Sequence, residues 1–226
     1  MSRRGYALTM PKAWQRIGPH DDFDEIAERI IKSSTARDPA SDGARSTLRR
    51  RQATKLFKSA ITRAFAAGCL EVFAFGGPSR TGILPMTLST TVVHTGIALS
   101  DEQIQTLSLA EDEGGAAGRT SFTWLETPAG PVARLLVRRD MTPDEWAGEN
   151  RRQTRQLGDE LDFRVAVDPR VAPIMSSARI SFISRIPGAP TTLLVLLFDT
   201  SGPAHLGAHL AHADSIVSTL RWTEPA

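Results

Sequence analysis

The stretch Thr191-Thr192-Leu193-Leu194-Val195-Leu196-Leu197-Phe198-Asp199-Thr200 decides how the rest of the chain is read. Its apolar run, Leu193 to Phe198, starts after Pro187-Gly188-Ala189-Pro190 and stops at Thr200-Ser201-Gly202-Pro203. A run that short between two turns predicts a strand buried on both faces, at the middle of a sheet. Beyond it, Leu206, Leu210, Ala213, Ile216, Val217 and Leu220 recur every three or four residues, which predicts a helix over about 203–220. Such a helix has one apolar stripe and needs a sheet to cover.

Working outward, Ala178 to Ile186 alternates and predicts a strand hairpinned to the first. Thr120 to Glu126, the turn Pro128-Ala129-Gly130-Pro131, and Val132 to Arg139 predict a second hairpin. Cys69 to Phe75, Met86 to Ala98 and Leu161 to Val167 read as further strands, and Tyr6 to Met10 with Trp14 to Ile17 as a short N-terminal strand anchored by tryptophan. Because the strands follow one another without crossover helices, the expected sheet is an antiparallel meander. Asp22 caps a first helix over about 23–32, with Glu25 in the capping-box position. Asp42 caps a second that runs to Ala67 and is closed by Gly68. Residues 33–43 read as a linker, and 100–118 and 140–158 as loops, the former with a helical turn at most around 101–107.

The fold class expected is therefore α+β: one domain over 1–226, with an antiparallel sheet of about seven strands covered by helices. The chain is nearly charge-balanced, 27 Lys and Arg against 25 Asp and Glu, so its overall charge implies no polyanion partner. One cysteine, Cys69, excludes an internal disulfide framework and a multi-cysteine metal site, and fits a reducing compartment. The N-terminal residues lack the apolar stretch of a secretory signal, and no window is apolar enough to span a bilayer. The expectation is a cytoplasmic protein without membrane insertion.

The tail carries a recognisable sequence: Ile186-Pro187-Gly188, an apolar strand ending Phe198-Asp199-Thr200, then a helix finishing Ile216-Val217-Ser218-Thr219-Leu220-Arg221-Trp222. With Trp14 in the N-terminal strand and the helix after it, this resembles a group of uncharacterised actinobacterial proteins and, more distantly, the PsbP-like fold that includes the LpqN lipoproteins. That resemblance implies a sandwich of helices on an antiparallel sheet. It also implies a non-enzymatic binding or accessory role, in some members near type VII secretion systems. The chain departs from the LpqN lipoproteins in lacking both the export signal and the lipidated N-terminal cysteine.

Several features carry candidate chemistry. The second helix holds Arg45, Arg49, Arg50, Arg51, Lys55, Lys58 and Arg63 with no acidic residue between them. Arg51, Lys55 and Lys58 share one helical face, suited to an acidic partner, an anionic surface or phosphate, or else a solvated face paired with Glu111-Asp112-Glu113. No aromatic residue interleaves with them, which argues against single-stranded nucleic acid. His205, His209 and His212 recur at i, i+4 and i+7, a spacing that brings imidazoles near one another, although a continuous helix rarely aims three at one tetrahedral ion and surface histidines beside an apolar stripe are common. Gly114-Gly115-Ala116-Ala117-Gly118 has no strand-to-helix context or Gly-Lys-Ser/Thr and reads as a loop. Trp146 stands alone in the most polar segment and is the candidate partner anchor.

No catalytic residue, metal or cofactor is assigned. The expected function is that of a non-catalytic cytoplasmic accessory protein binding a protein partner through Trp146, Arg51, Lys55 and Lys58. The competing readings are a small-ligand binder or enzyme with a pocket between sheet and helices, and anionic-surface or nucleic-acid binding through residues 45–63.

Overall fold

The computed structural model describes residues 5–35, 44–75, 86–110, 119–142, 145, 175–201 and 206–224. Nine strands and four helices occur among them: β1 (Gly5–Ala7), β2 (Trp14–Ile17), α1 (Phe23–Thr35), α2 (Ala44–Ala66), β3 (Cys69–Phe75), β4 (Met86–His94), α3 (Asp101–Ala110), β5 (Arg119–Thr127), β6 (Gly130–Met141), β7 (Met175–Ile186), β8 (Ala189–Ser201), α4 (Leu206–Val217) and β9 (Arg221–Thr223). Seven strands form one sheet in the order β2-β3-β4-β8-β7-β6-β5, every neighbouring pair antiparallel. The α+β class and the strand number agree with expectation.

The strand order corrects the simple meander. Two meanders, β2-β3-β4 and β5-β6-β7-β8, are joined where β8 lies beside β4, with Leu88 opposite Phe198 and Thr90 opposite Leu196. The most apolar strand thus gains a partner on each edge and burial on each face: Leu194, Leu196 and Phe198 are at most 1% exposed, and Leu193 on the other face is 7% exposed. Period-two alternation then sorts the sheet's two surfaces. On one, Trp14, Phe73, Leu88, Ile180, Phe182, Leu196 and Phe198 pack against Ala213, Ile216 and Val217 of α4 and Leu220. On the other, Ile17, Val72 and Ala74 pack against Ile26 and Ile30 of α1 and Ile61 of α2, and Ala133 and Leu193 pack against Ile104 of α3. Helices therefore cover both faces.

Three local differences from the sequence reading have physical causes. The segment read as a loop over 100–118 contains α3, because Ser100 and Gln103 form a reciprocal capping box: Ser100 N donates to Gln103 Oε1 at 2.8 Å and Gln103 N to Ser100 Oγ at 3.2 Å. Strand β4 ends at His94 instead of Ala98, as Gly96 takes a φ of 74° and turns the chain out of the sheet. The N-terminal strand is split: β2 edges the main sheet, whereas β1 pairs with β9 in a separate two-stranded sheet, Tyr6 opposite Trp222. Helix α1 runs to Thr35, into the expected linker, and β6 runs to Met141, into the expected loop. The strand expected over 161–167 lies outside the described residues.

Candidate functional site

Helix α4 is apolar toward the sheet, yet three polar side chains on or beside that surface reach protein partners instead of water. His209 is buried, and its Nδ1 lies 2.6 Å from Thr200 Oγ1 of β8. One turn on, His212 Nε2 accepts a hydrogen bond from Trp14 Nε1–H of β2 at 2.9 Å. Donation by the indole fixes the other ring nitrogen, Nδ1, as the protonated one in the neutral imidazole. The two rings also stack, 5.8 Å apart and 21° from parallel, while Phe75 meets His212 edge-on at 6.3 Å. Burial holds the His212 pKa below its ordinary value. Asp214 pairs with Arg134 of β6, and its Oδ1 is buried with no hydrogen-bond partner among the described residues. Burial raises the Asp214 pKa, against the opposing pull of the Arg134 guanidinium.

A second polar group ties the small sheet to the large one. The Tyr6 hydroxyl donates to Glu71 Oε2 at 2.8 Å and lies 2.7 Å from Thr90 Oγ1, while Arg16 of β2 pairs with Glu71. Burial pushes the Tyr6 phenol well above its ordinary pKa, with the Glu71 carboxylate acting in the same direction. A neutral tyrosine held this way is a donor anchoring β1 to the sheet.

The histidine spacing is accordingly not that of a shared surface face. His209 turns inward to Thr200 and His212 is engaged by Trp14. His205 lies outside the described residues, and among those residues no group of His, Cys, Asp and Glu has the geometry of a metal site. Of the basic residues, Arg51 and Lys55 are solvent-exposed, and Lys58 pairs with Asp24 of α1. The α2 charge is offset there by the acidic first turn of α1, a neighbour that the sequence reading did not assign to it. Trp146 and Glu111-Asp112-Glu113 lie outside the described residues.

The structure exposes apolar side chains that the sequence reading did not single out. Five large apolar side chains stand exposed among the described residues, and four of them, Val93, Ile97, Leu107 and Leu109, belong to the end of β4, the following loop and α3. Ile97 is 60% and Leu107 55% exposed. Around them Asp101 holds Arg185 of β7 at 2.6 Å and Glu102 is exposed, giving an acidic first turn beside apolar side chains. The capping box at Ser100 was the sequence signal for this helix, and its outward leucines follow once Ile104 and Ser108 are placed inward.

No protein-family model matches the sequence, and no curated protein matches it. Among solved structures the chain is similar to that of LpqN, described as involved in cell envelope biogenesis of Mycobacterium tuberculosis. The two are 10% identical with a TM-score of 0.45, over 99% of this chain and 86% of the other.

Proposed function

We propose that this chain is a non-catalytic accessory protein of the cytoplasm that holds a protein partner against the α3 side of its sheet. The supporting observation is the concentration of exposed apolar side chains at Val93, Ile97, Leu107 and Leu109. Exposed apolar side chains mark a docking surface where they join into a contiguous patch. An apolar centre with Asp101 and Glu102 beside it suits a partner that offers an aliphatic or aromatic anchor flanked by basic residues. Arg51 and Lys55 form a second, polar contact on the opposite end of the same face, and Trp146 a third anchor.

Affinity capture tests this with the tagged full chain and an Ile97→Asp/Leu107→Asp variant from the native cells. A partner captured in stoichiometric amount by the natural chain and lost with the variant, whose thermal unfolding is unchanged, supports the reading. Equal capture by both chains refutes it.

A further inference from the structure

Side-chain contacts tie the N-terminal residues 5–17 to the rest of the molecule. The Tyr6 hydroxyl reaches Glu71 and Thr90, Thr9 N donates to Thr219 Oγ1 at 2.8 Å, and Trp14 Nε1–H donates to His212 Nε2 at 2.9 Å. Of these ties, the one at His212 depends on a group that takes up a proton near neutrality. It is also the tie through which β2 holds the core. Trp14 is buried, and its ring meets Phe75 and Phe198 edge-on at 6.0 and 6.1 Å.

The hydrogen bond exists in one protonation state of His212. In the neutral ring Nε2 is an acceptor, whereas in the imidazolium both nitrogens are donors. Two N–H groups would then point at each other across the 2.9 Å that the bond now spans. Ring geometry offers no compensation. The two ring planes lie 21° from parallel with centroids 5.8 Å apart, and the indole N–H, which lies in its own ring plane, places His212 Nε2 at the indole rim. An imidazolium there faces the positive edge of the indole and not the negative face that attracts cations. Nor do the described neighbours supply a counter-ion. From β3 the ring meets Phe75. On β2, Arg16 pairs with Glu71, and Lys12, just before the strand, is exposed. Along α4, His209 faces Thr200 and Asp214 pairs with Arg134.

We propose that the Trp14–His212 hydrogen bond is a proton-operated latch: when His212 takes up a proton, Trp14 swings away from α4 and β2 loosens from β3, while the rest of the sheet stays closed. Strand β2 is the element that yields, because its four residues have one described sheet neighbour, β3, whereas β4, β8, β7 and β6 each lie between two strands. The sign follows from the donor conflict. A ring that must be neutral when latched keeps the latched form whole above pH 6.5, and that form is lost as pH falls through the ring's depressed pKa. Within this window the open-to-latched ratio rises by at most about tenfold per pH unit. The latch lies on the α4 face of the sheet and does not rest on the partner-docking surface proposed above.

Nuclear magnetic resonance of the isotope-labelled full chain, taken across the histidine range of about pH 5 to 8, tests the proposal. The Trp14 indole N–H signal, identified by its absence from Trp14→Phe, should move toward the position of a free indole as pH falls. Over the same range the exchange protection of the amides at 14–17 should drop severalfold while that of β6 and β7 holds. His212→Gln keeps an acceptor for the indole but takes up no proton, so both responses should vanish. His212→Phe has no titrating ring either and should be equally flat, which decides the matter if the glutamine chain folds poorly. Three results would overturn the proposal: a natural chain in which neither the Trp14 signal nor the protection of β2 changes with pH, the same changes in the His212 variants, or an equal loss of protection in every strand.

Discussion

Replacing Asp214 by leucine isolates the electrostatic balance of the α4 seam. Arg134 and Asp214 side chains retain 17% and 30% exposure, so the pair is neither a surface ion pair nor a fully buried one. Losing one partner costs about 3–5 kcal/mol when the other charge is stranded in a dry interior. An exposed pair is worth about 0–1 kcal/mol after solvent screening. The intermediate exposure places Asp214→Leu at about 2 kcal/mol of destabilisation, nearly all of it the stranded Arg134 guanidinium. For a domain of this size that lowers Tm by roughly 4–8 °C. Asp214 also has an oxygen without a hydrogen-bond partner among the described residues and a raised pKa, both signs that desolvation outweighs the ion pair. Removing both charges, as Arg134→Met/Asp214→Leu, should therefore return stability to within about 1 kcal/mol of the natural chain. The raised pKa has its own signature. The folded carboxyl holds a proton that the unfolded chain releases, so its favourable contribution is fully present below pH 3.8 and is lost as pH rises through the folded pKa. Asp214→Asn removes that slope. Urea unfolding of the four chains of the cycle reads all of this. A single leucine variant as stable as the natural chain, or a double variant losing the sum of both single losses, would refute the reasoning.

Other tests address separate links of the argument. The His212 pKa is depressed by burial, so the neutral ring contributes stability that is whole above pH 6.5 and declines as pH falls toward the folded pKa. Thermal unfolding should show this loss in the natural chain and its absence in His212→Phe, with Trp14 emission changing over the same window. Phe198→Ala, at the centre of the sheet and fully buried, should lose about 3–5 kcal/mol in urea titration, the usual result of opening a cavity under an aromatic ring. Lys58→Ala removes an exposed pair with Asp24 and should change stability by less than about 1 kcal/mol. A larger loss in that variant would show that the α1–α2 contact depends on charge more than on Ile26, Ile30 and Ile61.

Where one physical signal dominated, the sequence was readable. The apolar run at Leu193 to Phe198 required a central strand, and the stripe from Leu206 to Leu220 required a helix upon it. Both follow from burial alone. Pairing order was hidden because β4 and β8 are distant in the chain, and nothing local in Met86 to His94 says that Leu88 will meet Phe198. Helix α3 was obscured by its weak apolar stripe, in which Ile104 is the single large buried residue. Its capping box was the stronger signal. The polar contacts of α4 were illegible for another reason: helical spacing places His209 and His212 near one another, but only the sheet beneath supplies Thr200 and Trp14 as their partners. The charge of Lys58 looked available for the same reason, since Asp24 meets it only after α1 folds back on α2.

The pairing of Met86 with Thr200 has a consequence for how the chain is made. Translation proceeds at about 5–20 residues per second, so roughly 5–20 seconds separate the emergence of β4 from that of its neighbour β8. Throughout that interval β2, β3 and β4 lack their inner neighbour β8, and Phe73, Leu88 and Trp14 lack the cover of α4. Neither β8 nor α4 exists yet to shield them. Helices α1 and α2 are already out of the ribosome and cover only the opposite surface. The nascent protein therefore passes through a stage in which its future core is a sticky rim, and chaperone capture should peak for chains stalled between His94 and Ser201.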